Sequence, residues 1–307
     1  MGGFVRIRAG GFLSAFALVA LAACSSNGAT PSPPPSPGTV VVGSFNFPES
    51  EVLAEIYGQA LQASGIPVQL ELNLGPRELV QPALQKGLIH LVPEYQGSAL
   101  GFLGGGRSAS SDPAATHLAL VDALGGTGVV ALANAEAQDA NAFAVTDATA
   151  EKYGLRTISD LRPIASKLVA GGPPECPERP LCLRGLQDVY DLRFRDFVPL
   201  DTGGQLTIAA LVSGDVDLAL VLTTDPSLEQ RGLRVLLDDR GLEPAENVTP
   251  MASAKIVDRY GERLTGPVNA VSERLSTDVL VGLNRSVARG RSARQVAAEW
   301  LRSEGLG

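Results

Sequence analysis

Short apolar runs bounded by glycine or proline recur through this chain, and stretches with helical spacing separate them. That alternation limits the fold more than any other feature. Val40-Val41-Val42-Gly43 reads as a buried strand, and 44–50 as the loop after it. Glu51 to Ala63 has Val52, Ile56 and Leu61 near one helical face. Val68 to Leu74 alternates as a strand. Gly75 to Lys86 is helical in pattern and stops at Gly87. Leu88 to Val92 reads as a strand containing His90, with Pro93 ending it. Further strands are expected at Gly128–Leu132, Ala142–Thr146, Leu168–Gly171, Val216–Leu222 and Val235–Leu237. Strands alternating with helices predict an α/β fold with mostly parallel sheets covered on both faces. Ligands in such folds lie beyond the carboxyl ends of the strands. The loops to inspect are therefore 44–50, 93–98, 138–141, 172–182 and 223–226.

The folding part does not include the first residues. Arg6 and Arg8 precede an apolar stretch, Phe12 to Leu21, which is short for a membrane span. Leu21-Ala22-Ala23-Cys24 then resembles a bacterial lipobox, which implies cleavage and lipidation at Cys24. The alternative is ordinary signal-peptidase cleavage beside a chance cysteine. Residues 25–39 are polar and proline-rich, cannot bury a core, and predict a disordered tether. The net charge of -8 falls to -10 without Arg6 and Arg8. Such a surface repels phosphate backbones, so no nucleic-acid partner is expected.

Cys176 and Cys182 remain, six residues apart. An exported chain in an oxidising compartment predicts a disulfide between them. Two free thiols or a metal pair are the alternatives, and the lack of a nearby histidine makes a poor zinc site. His90 and His117 have no cysteine or carboxylate at ligand spacing, so no metal and no cofactor are expected. Gly101 to Gly106 lacks the lysine and serine of a phosphate-binding loop and reads as a flexible loop. No Gly-x-Ser-x-Gly elbow is present and both histidines fall outside the motif loops, so an enzyme is not expected.

Gly43-Ser44-Phe45-Asn46-Phe47-Pro48-Glu49 and Gly87-Leu88-Ile89-His90-Leu91-Val92-Pro93-Glu94-Tyr95-Gln96-Gly97 carry a family likeness. It continues through Glu151 to Leu161, Gly214-Asp215-Val216-Asp217 and Thr223-Thr224-Asp225. Together these resemble the OpuAC/ProX type of substrate-binding protein, which serves ABC importers of glycine betaine, choline, carnitine and related osmoprotectants. The resemblance implies a two-lobed periplasmic-binding-protein-like fold of type II, each lobe a mixed, mostly parallel sheet flanked by helices. Lobe one would comprise 40–138 with 246–307, and lobe two 139–245. It also implies a small-molecule ligand in the interlobe cleft, permease subunits as partners, a monomer, and a lipid anchor at the outer face of the cytoplasmic membrane.

Relatives hold a quaternary ammonium in an aromatic cage by cation–π attraction. Tyr95 corresponds to one cage ring. Asn141 and Leu222 stand where two others are expected, and no aromatic lies at 206–208. Glu175 and Arg179 match a Glu-x-x-x-Arg pair whose arginine holds a ligand carboxylate. The resulting ligand-binding set is Asn46, Phe47, Glu49, Tyr95, Gln96, Ser98, Asp139, Asn141, Glu175, Arg179, Thr223 and Thr224. Simpler readings stand beside it. Asn46 and Glu49 could cap the following helix, Thr223 to Asp225 could be a turn before Pro226, and Asp139 could belong to the hinge. The thinned cage leaves two readings of the ligand: a betaine- or choline-like solute, or another small polar or aromatic one. A sensor module without transport would use the same capture chemistry.

Overall fold

The computed structural model describes residues 1–3, 36, 38–104, 109–226, 228 and 231–307. Cys24, the leader's apolar stretch and most of the tether lie outside the described residues. The chain divides into two units, Met1–Pro34 and Pro35–Gly307. Every element below belongs to the second.

The strands are β1 (Val40–Gly43), β2 (Val68–Glu71), β3 (Leu91–Tyr95), β4 (Val129–Ala131), β5 (Asn141–Thr146), β6 (Val169–Gly172), β7 (Asp196–Pro199), β8 (Leu218–Leu222), β9 (Leu233–Leu236) and β10 (Val248–Ser253). They form two five-stranded sheets, ordered β2-β1-β3-β10-β4 and β7-β6-β8-β5-β9. The two orders correspond strand for strand. In the first sheet β1 runs parallel to β2 and β3, while β10 is antiparallel to β3 and β4. In the second, β6 runs parallel to β7 and β8, while β5 is antiparallel to β8 and β9. Each sheet is therefore mixed in equal parts. The antiparallel strand is in each case the first one laid down after the chain crosses from the other sheet. Parallel neighbours require a helical crossover within one sheet, whereas a strand arriving from outside can enter in the opposite sense.

Each sheet has apolar cores on both faces. Leu53, Ile56 and Tyr57 of helix Pro48–Ala63 pack with Val268, Leu280 and Leu301 on one side of the first sheet, and Leu84, Leu100 and Leu120 pack on the other. Leu155, Leu186 and Tyr190 cover one face of the second sheet, and Ile208 and Leu211 the other. This double cover explains why β1 and β8 read as unbroken apolar runs.

Several boundaries differ from expectation for identifiable reasons. The Leu88–Val92 strand is displaced to Leu91–Tyr95, and His90 lies just before it. There the His90 Nδ1 accepts the Val41 N–H at 2.9 Å, and burial holds its pKa below the usual histidine range. Pro93 does not end the strand. It pairs directly with Pro250 of β10, so neither missing N–H is called on between them. β10 escapes sequence reasoning because Pro250 interrupts a run of small residues, yet all six of its residues are buried. β7 is a half-buried edge strand with a weak apolar signal. The helix after β1 starts at Pro48, with proline in its first turn, and its N-cap is Phe47 with no side-chain cap. Asn46 and Glu49 therefore do not cap it. Gly101 to Leu103 close helix Gln96–Leu103 rather than forming a loop, and 105–108 lie outside the described residues. Cys176 and Cys182 form a disulfide, with Cα atoms 5.2 Å apart. No described helix is long and apolar enough to cross a membrane.

Candidate functional site

The chain passes between the two sheets over 132–140 and again over 237–247. These segments meet at an antiparallel bridge, Gln138 with Asn247, and Asp139 donates its N–H to the Glu246 carbonyl at 3.2 Å. A cleft lies beside this crossing, and the carboxyl ends of β3 and β8 point their loops into it.

On the first-sheet side, the end of β3 presents Glu94 and Tyr95. Arg77 grips Glu94 with two hydrogen bonds, 2.8 and 2.9 Å, and Glu94 Oε2 also accepts the Tyr95 N–H. The Arg77 guanidinium lies 5.2 Å from the Phe45 ring centre. Phe45 stacks on Phe47 at 6.0 Å, and Phe47 meets Tyr95 at 6.0 Å with ring planes 34° apart. The result is a row of rings leading into the cleft, backed by one fixed cation. The Tyr95 hydroxyl donates to Glu49 Oε1 at 2.6 Å. Helix Pro48–Ala63 carries Glu49 in its first turn, where the helix dipole favours a carboxylate.

The second-sheet side supplies Asn141 from β5, Leu222 from β8, and the disulfide-closed loop. Asn141 Nδ2 donates to the Leu181 carbonyl at 3.0 Å. Arg179 reaches across to Glu78 of helix Arg77–Gln85, at 2.8 and 3.3 Å, and pairs with Glu175 at 3.2 Å. The Thr224 hydroxyl donates to Glu49 Oε2 at 2.6 Å, and its N–H donates to Asp139 Oδ1 at 3.1 Å. Asn284 Nδ2, on helix Thr277–Ala288, donates to the same Glu49 oxygen. The two halves are thus tied by Glu78–Arg179 and by Glu49–Thr224.

Two cavities flank these ties. The smaller, about 100 Å³, is lined by Phe47, Tyr95, Ser98, Asp139, Asn141 and Arg179, together with Arg77, Phe102 and Leu222. The larger, about 480 Å³, is lined by Phe47, Glu49, Gly203, Gly204, Thr224 and Asn284 among others. Of the expected residues, eight therefore line one cavity or the other. Thr223 supports from behind, its hydroxyl bonding Asp139 at 3.1 Å. Glu175 lies behind Arg179. Asn46 is exposed and lines neither cavity. Gln96 turns into lobe one, where it donates to the Pro113 carbonyl and to Asn247. Its position after Tyr95 on a new helix sends it away from the cleft. Arg77, Glu78, Phe102 and Asn284 were not expected. They lie on helices outside the motif loops, and no local pattern marks them.

Burial dominates the electrostatics. The Asp139 carboxyl is pushed well above the usual range, first by burial and then by the charge of Glu49. Burial and the same Glu49 charge raise the Tyr95 hydroxyl. Glu246 is pushed up to about 7 by burial, against the opposing pull of two hydrogen bonds from Ser98 and the charge of Arg77. Among the described residues, no group of three or more His, Cys, Asp and Glu side chains could hold a metal ion.

Two matching α/β sheets, joined by two crossing segments and facing a polar cleft with a ring cluster, define a two-lobed solute-binding protein of type II. Residues 38–303 match the family OpuAC, described as the substrate-binding domain of the ABC-type glycine betaine transport system, and the chain belongs to that family. Members of it are the solute-binding components of ABC importers. The chain is 30% identical over 280 residues to the glycine-betaine-binding protein of Pseudomonas aeruginosa, covering 87% of this chain and 88% of the relative. It is 27% identical over 257 residues to the carnitine transport binding protein OpuCC of Listeria monocytogenes, covering 81% of each. A crystal structure described as a glycine betaine/carnitine/choline ABC transporter superposes with a TM-score of 0.67 at 24% identity, over 87% of this chain and 99% of that one.

Proposed function

We propose that this chain captures a glycine betaine- or choline-type solute outside the cytoplasmic membrane and hands it to the permease subunits of an ABC importer. Lobe one is 40–138 with 246–307, and lobe two is 139–245. The protein acts as a monomer, performs no chemistry on the solute, and is held at the membrane's outer face by lipid on Cys24. The observation that carries the reading is the smaller cavity, where the rings of Phe47 and Tyr95 face Arg179 across the cleft. Rings suit a quaternary ammonium, and a guanidinium suits a carboxylate.

A second reading has its own support. Asn141 and Leu222 line that cavity at the places where the resemblance implies further rings. A site with fewer rings fits other small polar or aromatic solutes bearing a carboxylate.

Ligand binding raises thermal stability by mass action, about 2.7 kcal/mol at a hundredfold excess over Kd. Glycine betaine, choline and carnitine are expected to raise the melting temperature, while amino acids and aromatic acids leave it unchanged. A shift with aromatic acids alone would replace the first reading by the second. Cys24→Ser is expected to abolish labelling by a radioactive or clickable fatty acid and to release the protein from membranes. Labelling that persists in that variant would sink the anchor assignment.

A further inference from the structure

Glu49 and Asp139 are both almost wholly buried, and they meet through Thr224. Thr224 gives its N–H to Asp139 and its hydroxyl to Glu49, and the charge of Glu49 bears on Asp139. Asp139 lines the smaller cavity beside Tyr95 and Phe47.

Among the described residues, no charged group around the pair is bonded to it as a counterion. Helix Pro48–Ala63 contributes only Glu49 itself. β3 contributes Tyr95, which donates to Glu49, and Glu94, which Arg77 occupies with both prongs. The disulfide loop contributes Arg179, which is bound to Glu78 and Glu175. Helix Thr277–Ala288 contributes the neutral Asn284, and Arg231, Arg285 and Arg289 line the larger cavity with Glu49 without a described bond to either carboxyl. The crossing segments contribute Glu246, bound by Ser98. No described cation bonds to either member of the pair. A second buried carboxylate joined to Glu49 through one threonine ionises only at a large penalty, so Asp139 keeps its proton.

We infer that the site takes up a cationic headgroup in exchange for that proton, with the Asp139 carboxylate, which lines the cavity with Phe47 and Tyr95, supplying the attraction that the missing rings at Asn141 and Leu222 do not. The balance is simple. Asp139 loses its proton to solvent, and the cation remains against the carboxylate, so the net charge of the buried group is the same before and after. This rests on the solute-binding reading above, and it names the ligand's charge class and its proton dependence.

The sign follows directly. In the free protein the proton opposes the cation, so affinity increases as pH rises toward the range where Asp139 of the free protein would ionise. The expected change is up to about tenfold in Kd for each pH unit. The test is titration calorimetry of choline and glycine betaine into the purified full chain between pH 5.5 and 8. Each titration is run in phosphate and in Tris, whose ionisation heats differ. The expected result is release of close to one proton per ligand bound and a Kd that tightens with pH. Asp139→Asn should remove both effects. Glu246→Gln should keep them, which separates Asp139 from the other raised carboxyl beside the cavity. Binding with equal heat in both buffers and a Kd independent of pH overturns the inference and leaves the solute-binding reading standing. Failure of both probes to bind at any pH overturns the two together. Should Asp139→Asn not fold, the two-buffer measurement on the unaltered chain decides alone. Proton release that survives in a folded Asp139→Asn variant also overturns the assignment.

Discussion

Replacing Arg77 with alanine is expected to destabilise the protein by about 3–5 kcal/mol, the cost of stranding a buried carboxylate. Glu94 is 1% exposed and Arg77 11%, so solvent cannot take over the lost partner. The guanidinium gives two short hydrogen bonds, and it also covers the Phe45 ring. The truncation therefore removes the countercharge and the packing at once. Urea unfolding of the variant against the parent chain measures the difference. Arg77→Met combined with Glu94→Gln should recover most of it, because no unpaired charge is left behind. A loss below about 0.5 kcal/mol for the single variant, the level of an ordinary surface change, would show that Glu94 finds another partner. The rings should respond as well. Phe47 stacks on Phe45 and meets Tyr95, whose N–H is held by the Glu94 carboxylate, so weaker solute binding is expected with the loss of stability.

The second large effect concerns Gly97, two residues beyond Tyr95. A methyl group there would stand 2.4 Å from Pro244 Cγ, 2.9 Å from the Ala245 carbonyl oxygen and 3.1 Å from Glu246 Cδ. Pro244 to Glu246 belong to the returning crossing segment, and a backbone oxygen cannot rotate aside. Overpacking costs about 1–3 kcal/mol in general, and Gly97→Ala belongs at the top of that range. It should also push the crossing segment away from helix Gln96–Leu103 and so disturb the bonds from Ser98 to Glu246. Gly101→Ala, in the same helix, is the internal control. Nothing lies within 4 Å of its added carbon, and alanine is the better helix former by roughly 1 kcal/mol, so no loss is expected. Urea midpoints for the two variants should move in opposite directions. Equal midpoints would rule out the close approach at Gly97.

Much of the fold was legible because local patterns report local physics. The apolar run at Val40 to Val42 identifies a strand buried on both faces, and the spacing of Val52, Ile56 and Leu61 identifies the face of the helix that covers it. The loops after the strands pointed to the cleft, and Tyr95, Asp139, Arg179 and Thr224 were found through them. Where the pattern was misread, a long-range contact was the cause. Pro93 looked like a strand terminus because its partner, Pro250, is 157 positions later in the chain and only register reveals the match. Gln96 looked like a cleft residue from its neighbour Tyr95, but the helix that begins there rotates it toward Asn247.

By itself the sequence determined the alternation of strands and helices, the loops that carry polar side chains, the cysteine pair, and the absence of aromatic residues at Asn141 and Leu222. These depend on residue type and near neighbours. Only the tertiary structure decided which charges meet: Arg77 with Glu94, Glu78 with Arg179 across the cleft, and Glu49 with Thr224 and Asp139. Burial and partnership set the behaviour of a carboxyl, and both arise from residues on different elements, 17 to 175 positions apart, that no spacing rule connects.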